Sequence, residues 1–135
     1  MHVLLINGSP HEKGCTYTAL SLVAGELNAA GITTEILNVG TKPVGGCIGC
    51  GGCAKGNGCV FGGVVNEAIE KARTADAFVF GTPVHYASAS GNMTSFLDRL
   101  AYAGGKYLAY KPAAICASAR RAGTTSALDQ LVKYP

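Results

Sequence analysis

The 135-residue chain is 48% hydrophobic and 14% charged, enough apolar material for a folded core and too little charge for a disordered chain. Its net charge of +3 is small and scattered, which argues against a nucleic-acid partner. No apolar run approaches the roughly 20 residues that cross a bilayer. The first residues enter a strand-like run without a basic leader, so we expect a cytoplasmic protein with no membrane partner.

Apolar runs and helical periodicities alternate along the chain. The first run, 3–6, is apolar on both faces and predicts a buried parallel strand. In chain order we predict strands at 3–6, 32–39, 77–81 and 113–117, and helices at about 15–30, 64–74, 92–103 and 124–134. Strands that alternate with helices predict a parallel sheet with helices on both faces, hence an α/β protein of three layers.

The last predicted strand is unusual for the edge of a sheet. Its sequence, AAICA at 113–117, is apolar on both faces, whereas edge strands are usually charged, short or covered. We therefore expect a fifth strand beyond it, and interpret 1–135 as a single domain truncated at its C-terminal end. The alternative is a four-stranded domain whose edge a partner chain covers.

The loop after the first strand, NGSPHEKGCTYT at 7–18, has the composition of an anion site. In open parallel sheets, ligands bind beyond the C-terminal ends of the strands. Backbone N–H groups and the dipole of the following helix favour an anion there, and Ser9, Thr16 and Tyr17 add hydroxyl groups. The glycine spacing is neither that of a P-loop nor G-x-G-x-x-G. The alternative is a capped turn that binds nothing.

Two later loops should lie at the same end of the sheet. In GTPVHYASASGNMTSFLDR, 81–99, His85 and Tyr86 place two rings where a planar ligand could lie. Each is also explained without a ligand, as a surface histidine and a core tyrosine. In SARRAGTT, 118–125, two adjacent arginines offer donors and positive charge, or simply form a solvated turn.

Four cysteines lie in the glycine-rich loop 45–60, with the spacing C-x2-C-x2-C-x5-C: Cys47, Cys50, Cys53 and Cys59. In a reducing compartment, clustered cysteines more often hold metal or perform redox chemistry than form disulfides. Four thiolates in a short loop suit a [4Fe–4S] cluster, and the loop follows the second strand, at the same sheet edge as the other three. Zinc, reduced thiols without metal, and a disulfide pair remain as alternatives.

With these motifs in order, the chain resembles the NADPH-dependent FMN reductase family of flavodoxin-like proteins, and most of all its iron–sulfur flavoprotein branch. The resemblance runs through GSPHEKGCT, the cysteine loop, GTPVHYASASGNMTSFLDR and ARRAGTT, essentially the whole chain. It implies a doubly wound flavodoxin-like sheet in the order 2-1-3-4, with a fifth strand following in the family. Cys15 stands where the family usually has Asn, and His85 where Tyr is usual.

The resemblance also implies an FMN site. The phosphate would contact the first loop, the isoalloxazine ring would lie against the second, and the third would close the other side. No side chain is assigned a catalytic role, because flavin performs the redox chemistry itself. The implied residues are Ser9, His11, Gly14, Cys15, Thr16 and Tyr17 for the phosphate; Pro83, Val84, His85, Tyr86, Ser88 and Gly91 for the ring; and Ser118, Arg120, Arg121 and Gly123 for the closing turn.

Three functions follow from these observations. The first is an FMN-dependent oxidoreductase that takes electrons from NAD(P)H, or from a ferredoxin-like donor, to a small-molecule or protein acceptor. The second is a non-enzymatic flavodoxin-like electron carrier, which the net charge of +3 disfavours because such carriers are usually acidic. The third is a metal-binding module with a degenerate flavin site. The resemblance and the apolar sheet also imply self-association, as a homodimer or homotetramer.

Overall fold

The computed structural model describes residues 1–135. Strands and helices alternate as expected, joined by a short 3₁₀ turn at Gly52–Lys55 and another at Gly105–Tyr107. The elements are β1 His2–Asn7, α1 Cys15–Ala29, β2 Thr33–Asn38, α2 Val64–Thr74, β3 Ala77–His85, β4 Ser88–Ala89, α3 Gly91–Gly104, β5 Ala113–Ser118 and α4 Thr124–Leu131.

Four parallel strands form the sheet, in the order β2-β1-β3-β5. The predicted order 2-1-3-4 is confirmed, with β5 as the fourth long strand. Ile6 of β1 is aligned with Leu37 of β2 on one side and with Phe80 of β3 on the other. This register brings the C-terminal ends of β1, β3 and β5 to one edge of the sheet, which is where an open α/β sheet binds its ligands.

The apolar pattern of β1 explains the three layers. Leu4 and Ile6 face the larger core, beneath α2, α3 and α4, whereas Val3 and Leu5 face a smaller core beneath α1. Successive side chains of a strand point to opposite faces, so a strand apolar at every position is buried on both. The flavodoxin-like α/β fold inferred from the sequence is confirmed, and none of its helices has both the length and the apolarity that a membrane crossing requires.

Two predicted boundaries were wrong by more than one residue. The third strand does not end at residue 81 but continues to His85, so Pro83 and Val84 belong to the strand and not to a loop. A two-residue strand, β4, then returns antiparallel to β3 and forms a hairpin. Helix α4 ends at Leu131, three residues before the predicted end.

Candidate functional site

The loop between β1 and α1, residues 8–14, is held in shape by its own polar side chains. Asn7 is fully buried; its Oδ1 accepts a hydrogen bond from the backbone N–H of Ser9 at 3.1 Å, and its Nδ2 donates to Asn38 Oδ1 at 2.8 Å. Ser9 Oγ in turn accepts from the N–H of His11 at 3.1 Å. A buried polar network that is fully satisfied fixes one conformation, so this loop is preformed.

Neighbouring elements close tightly around the β1–α1 loop. Gly40, after β2, lies so near that a Cβ there would meet the carbonyl oxygens of Gly8 and Ser9 at 2.4 Å. Ser90 Oγ donates to Gly8 O at 2.8 Å, and Gly8 N–H donates to Gly81 O at 2.8 Å. The loop is thus fixed to the segment after β2, the middle of β3 and the N-cap of α3.

The N-terminus of α1 opens onto the same loop. Its N-cap is Gly14, without a capping side chain, and the first turn contains no acidic residue. The first N–H groups of any helix lack partners within the helix and attract anions. Thr16, buried in this turn, has its Oγ1 2.7 Å from Ser118 Oγ at the end of β5, so the first and third predicted loops meet.

The β3–β4 hairpin forms the second side of the site. Val84 pairs with Ala89 and His85 with Ser88, leaving the two-residue turn Tyr86-Ala87. Both turn residues have positive φ, 50° and 59°, as a type I′ turn requires. Non-glycine residues rarely adopt this conformation, and such strain is often found at ligand sites. Tyr86 projects fully into solvent and His85 is exposed.

Helix α4 and its N-cap residue hold this hairpin in place. Gly123, at φ 94°, comes so close that a Cβ there would lie 2.5 Å from Ala87 Cα. Ser126 Oγ donates to Ala87 O at 2.8 Å, and Ser88 Oγ donates to Gln130 Oε1 at 2.6 Å. The strained turn is therefore maintained by contacts with α4.

An open cleft of about 720 Å³ separates the hairpin from the turn after β5. This volume falls within the range of small-molecule sites. Arg120 and Arg121 are exposed, and neither forms an ion pair within the chain. The lining residues are Val84, Tyr86, Ala87, Ala119, Arg120, Arg121 and Ala122.

Most of the sixteen residues that the resemblance implied lie on the β1–α1 side or on the cleft side of this edge of the sheet. Two of the sixteen do not face this site. The Ser88 hydroxyl donates to Gln130, and Gly91 is exposed at the start of α3. Those at the β1–α1 side are Ser9, His11, Gly14, Cys15, Thr16 and Tyr17, with Ser118 joined to them; those at the cleft side are Pro83, Val84, His85, Tyr86, Arg120, Arg121 and Gly123.

The four loop cysteines, Cys47, Cys50, Cys53 and Cys59, line a second cavity, of about 580 Å³, beside α3. All are free thiols. As placed, no three Cys, His, Asp or Glu side chains of the chain converge into a group that could hold a metal ion. The predicted convergence of the four sulfurs on one small volume is therefore only partly met: they share a cavity but not a single centre.

The cysteine loop is exposed, and it is fixed mainly near its ends. Asn92 Oδ1 accepts from the N–H of Val44 at 3.1 Å, and Asn92 Nδ2 donates to Gly40 O at 2.9 Å. At the other end, Asn66 accepts from the N–H of Cys59 at 2.8 Å and donates to its carbonyl oxygen at 3.0 Å. Between these ends, four glycines have positive φ: Gly49, Gly51, Gly56 and Gly58.

The remaining two cysteines take no part in this cavity. Cys15 is exposed at the start of α1. Cys116 lies on β5 and packs against the smaller core beneath α1. Burial raises the pKa of its thiol, which keeps the thiol protonated and unreactive. Leaving both out of the predicted cysteine site agrees with their positions.

Sequence reasoning did not single out the side chains that fix the two loops, which are Asn7, Asn66, Ser90, Asn92 and Arg99. One signal was present: Asn7 directly follows an otherwise apolar buried strand, where a polar residue needs a defined partner. Ser90, Asn92 and Arg99 act across long stretches of sequence, so nothing local indicates their partners, whereas Asn66 lies only seven positions after its partner, Cys59.

A sequence profile of the NADPH-dependent FMN reductase family matches residues 1–134. The chain belongs to the NADPH-dependent FMN reductase family. A curated relative, an iron–sulfur flavoprotein from Archaeoglobus fulgidus, is 33% identical over 99 residues, 73% of this chain and 48% of the relative. Another, from Methanocaldococcus jannaschii, is 30% identical over 99 residues, 73% of this chain and 51% of the relative. The chain thus spans about half the length of the curated relatives it matches.

The fold likeness extends to solved structures. A crystal structure of an NADH:FMN oxidoreductase in its apo form superimposes with a TM-score of 0.71 at 21% identity, covering 98% of this chain and 65% of that one. Identity at this level shows the shared flavodoxin-like fold.

FMN, the cofactor of this reductase family, fits the residues present. The uncapped α1 N-terminus and the hydroxyl groups of Ser9 and Thr16 suit an anionic phosphate. The adjoining cleft between the hairpin and the β5–α4 turn suits a flat ring system. The four thiols that line one cavity are suitable ligands for an iron–sulfur cluster. Their sulfur atoms would have to move closer to one another to bind it.

Proposed function

We propose that this protein is an FMN-dependent oxidoreductase that accepts electrons from NAD(P)H and passes them to a small-molecule or protein acceptor. The observation that carries the proposal is the junction of three loops at one edge of the sheet, marked by the 2.7 Å contact between Thr16 and Ser118 hydroxyl groups. That junction connects an anion site to a cleft of suitable size for a ring system.

In this proposal the chain binds and orients the cofactor, and FMN supplies the hydride and electron chemistry when bound. Helix α1 and the hydroxyl groups of Ser9 and Thr16 hold the phosphate. The rigid β3–β4 hairpin and the arginine-bearing turn after β5 define the two walls of the ring cleft. Arg120 and Arg121 add positive charge beside it, which favours the anionic FMN and an anionic nicotinamide donor.

The decisive experiment compares FMN with riboflavin, which differs only by lacking the phosphate. Titration of flavin-free protein, followed by flavin fluorescence, should give one FMN per chain and much weaker binding of riboflavin. Equal affinities would mean that the phosphate is not bound at the α1 N-terminus, and failure to bind either flavin would contradict the proposed function.

Measuring turnover with NAD(P)H distinguishes an enzyme from a flavodoxin-like electron carrier. Anaerobic addition of NADPH or NADH to FMN-loaded protein should bleach the flavin absorbance, and a quinone or free FMN should then restore it. A carrier would instead exchange electrons with a reduced protein partner and leave the nicotinamide unoxidised. The net charge of +3 already disfavours a flavodoxin-like carrier.

We further propose that Cys47, Cys50, Cys53 and Cys59 ligate a [4Fe–4S] cluster. Two observations support this: the four thiols line one cavity, and the curated relatives carry the name iron–sulfur flavoprotein. The positive-φ glycines between them give the loop the freedom to draw the sulfurs together. Anaerobic reconstitution with iron and sulfide should give about four of each per chain. Zinc at one per chain, or no metal, would contradict the cluster.

Self-association is also proposed, as a homodimer or homotetramer. Tyr86 projects fully into solvent at the rim of the open cleft, where a second copy could cover it. Light scattering at micromolar concentration measures the mass directly. A monomer in FMN-loaded protein would contradict this part of the proposal.

A further inference from the structure

Arg99, in the middle of α3, is a buried cation that faces the cysteine cavity. Only 6% of the residue is exposed. Its Nε lies 3.2 Å from Cys59 Sγ, its Nη2 donates to Gly62 O at 3.0 Å, and its Nη1 donates to Gly45 O at 3.3 Å. One guanidinium thus joins the start of the cysteine loop, its last cysteine and the residues beyond it.

This buried charge has no carboxylate partner. Arg99 is absent from the ion pairs of the chain, and the adjacent Asp98 accepts from Tyr134 Oη at 2.6 Å instead. The ring of Phe61, 5.4 Å from the guanidinium carbon, and two carbonyl oxygens supply only partial negative charge. A buried charge is costly unless an opposite charge or strong hydrogen bonds compensate it. Asp98 also lines the cavity but forms no ion pair with Arg99, so the four cysteine sulfurs are the remaining cavity groups that could carry a formal negative charge.

We propose that Arg99 is the counter-charge and positioning residue of the cysteine site: it holds Cys59 Sγ toward the cavity and stabilises negative charge on a thiolate-ligated iron–sulfur cluster. The inference rests on the cluster proposed above. Hydrogen bonds to cluster sulfurs and nearby charge are two of the features that set the reduction potentials of such clusters.

The direction of the effect follows from electrostatics. One-electron reduction adds one negative charge to the cluster, so a cation nearby stabilises the reduced form more than the oxidised form. Arg99 should therefore raise the midpoint potential. Its removal should lower the ratio of reduced to oxidised cluster at a fixed potential about tenfold, which corresponds to about 59 mV for one electron.

Asn66 provides a matched comparison, because it also holds Cys59 but carries no charge. The Asn66 side chain accepts a hydrogen bond from the N–H of Cys59 at 2.8 Å and donates one to its carbonyl oxygen at 3.0 Å, whereas Arg99 contacts the Sγ atom. If Arg99 were only structural, Arg99→Gln and Asn66→Ala should have the same effects. Arg73 is the remote control: it lies over Tyr107 and pairs with Glu70, so Arg73→Gln removes the same charge away from the cavity.

The experiment uses the FMN-loaded chain, reconstituted without air with Fe²⁺ and sulfide. Iron and sulfide are assayed per chain, and the cluster is titrated with dithionite while its electron paramagnetic resonance signal is followed. Arg99→Gln should lower the midpoint by about 59 mV, and Arg99→Lys should keep it near the wild-type value at reduced cluster content. Asn66→Ala should reduce cluster content, and its remaining cluster should titrate at the wild-type midpoint.

The outcomes distinguish the role proposed for Arg99 from the proposed iron–sulfur cluster on which it rests. Wild-type protein that takes up no iron and sulfide overturns both. A wild-type cluster whose midpoint is unchanged in Arg99→Gln overturns the role of Arg99 alone. If Arg99→Gln retains no cluster, recovery of cluster in Arg99→Lys supports the counter-charge role, and equal loss in both Arg99 variants and in Asn66→Ala overturns it.

Discussion

The β1–α1 loop and the cysteine loop each follow a strand of the same sheet, but they are held by different means. The first is short and is fixed along its length by Asn7, Ser9 and Ser90. The second is long and mostly exposed, and Asn92, Asn66 and Arg99 secure it mainly near its ends. Its thiols share a cavity without converging on one centre.

This difference indicates how each site would acquire its ligand. A preformed loop loses little conformational entropy on binding, so it retains affinity for a dissociable ligand. A loop that must draw its ligands together couples binding to ordering, as metal sites commonly do. We therefore expect the FMN site to exist before FMN binds, and the cysteine site to be completed only with its metal.

The largest expected effect comes from adding one methyl group at Gly40, which packs against the β1–α1 loop, and comparing it with one at Gly45 in the cysteine loop. Gly40→Ala places a Cβ 2.4 Å from two backbone oxygens of the β1–α1 loop, whereas Gly45→Ala, in the cysteine loop, has no atom within 4 Å. Gly40→Ala should lower the free energy of unfolding by about 3–4 kcal/mol, and Gly45→Ala should change it by less than about 0.5 kcal/mol. Urea unfolding measures both. Similar values for the two variants would show that the β1–α1 loop is not the tighter of the two.

Next in size is the loss of phosphate contacts. Thr16→Ala removes a buried hydroxyl at the α1 N-terminus. A hydrogen bond to a charged group contributes about 1.5–3 kcal/mol, so FMN affinity should fall roughly tenfold or more while riboflavin affinity changes little. Ser9→Ala should act in the same direction. Thr18→Ala is the matched control, because its exposed hydroxyl donates to Gly14 O. A parallel loss for FMN and riboflavin would place the phosphate elsewhere.

Limited trypsin digestion compares the two loops in one sample. Lys13 lies in the β1–α1 loop and Lys55 in the cysteine loop, and both are exposed. In metal-free protein, cleavage after Lys55 should be several-fold faster than after Lys13, because proteolysis follows local opening. Reconstitution with iron and sulfide should slow cleavage at Lys55 alone, and FMN should slow it at Lys13 alone. Protection of both sites by one ligand would mean that the loops order together.

The smallest effect concerns the stability of the protein at high pH, through Tyr134, which donates a hydrogen bond to Asp98. Partial burial and the hydrogen bond to Asp98 raise the pKa of Tyr134 to about 12. A raised folded-state pKa means that this contribution to stability is complete below the unfolded value near 10 and is lost as pH rises through about 12. Tyr134→Phe should flatten that alkaline decline without changing FMN binding. An unchanged slope between pH 10 and 12 would assign the decline to other groups.

Local patterns were sufficient to predict most of the fold. Helix α2 was predicted with its observed bounds, because Val65, Ala68, Ile69 and Ala72 repeat at helical spacing and all are buried. The β3–β4 hairpin was missed. Pro83 suggests the end of a strand, and the turn Tyr86-Ala87 lacks the Asn-Gly or Asp-Gly pair typical of a two-residue hairpin.

The candidate site was predictable where one loop contains its own contacts, and not where contacts join distant segments. Ser9 and Thr16 are evident from a polar stretch between a strand and a helix. Arg99 is not, since a charged helical residue usually faces solvent and its sulfur partner, Cys59, lies 40 positions earlier. The number of cysteines suggested a metal, but spacing alone does not determine whether the sulfurs converge before metal binds.

The strained turn between β3 and β4 also links the cleft to the stability of α4. A non-glycine residue held at positive φ costs about 1–3 kcal/mol, and here Gly123, Ser126 and Gln130 supply the opposing contacts. When α4 undocks, Tyr86 and Ala87 lose the contacts that oppose this strain, so hairpin and helix should open as one cooperative unit. Amide protons of α4 should then exchange with solvent at the same rate as those of the hairpin, and a ligand clamped in the cleft should slow both.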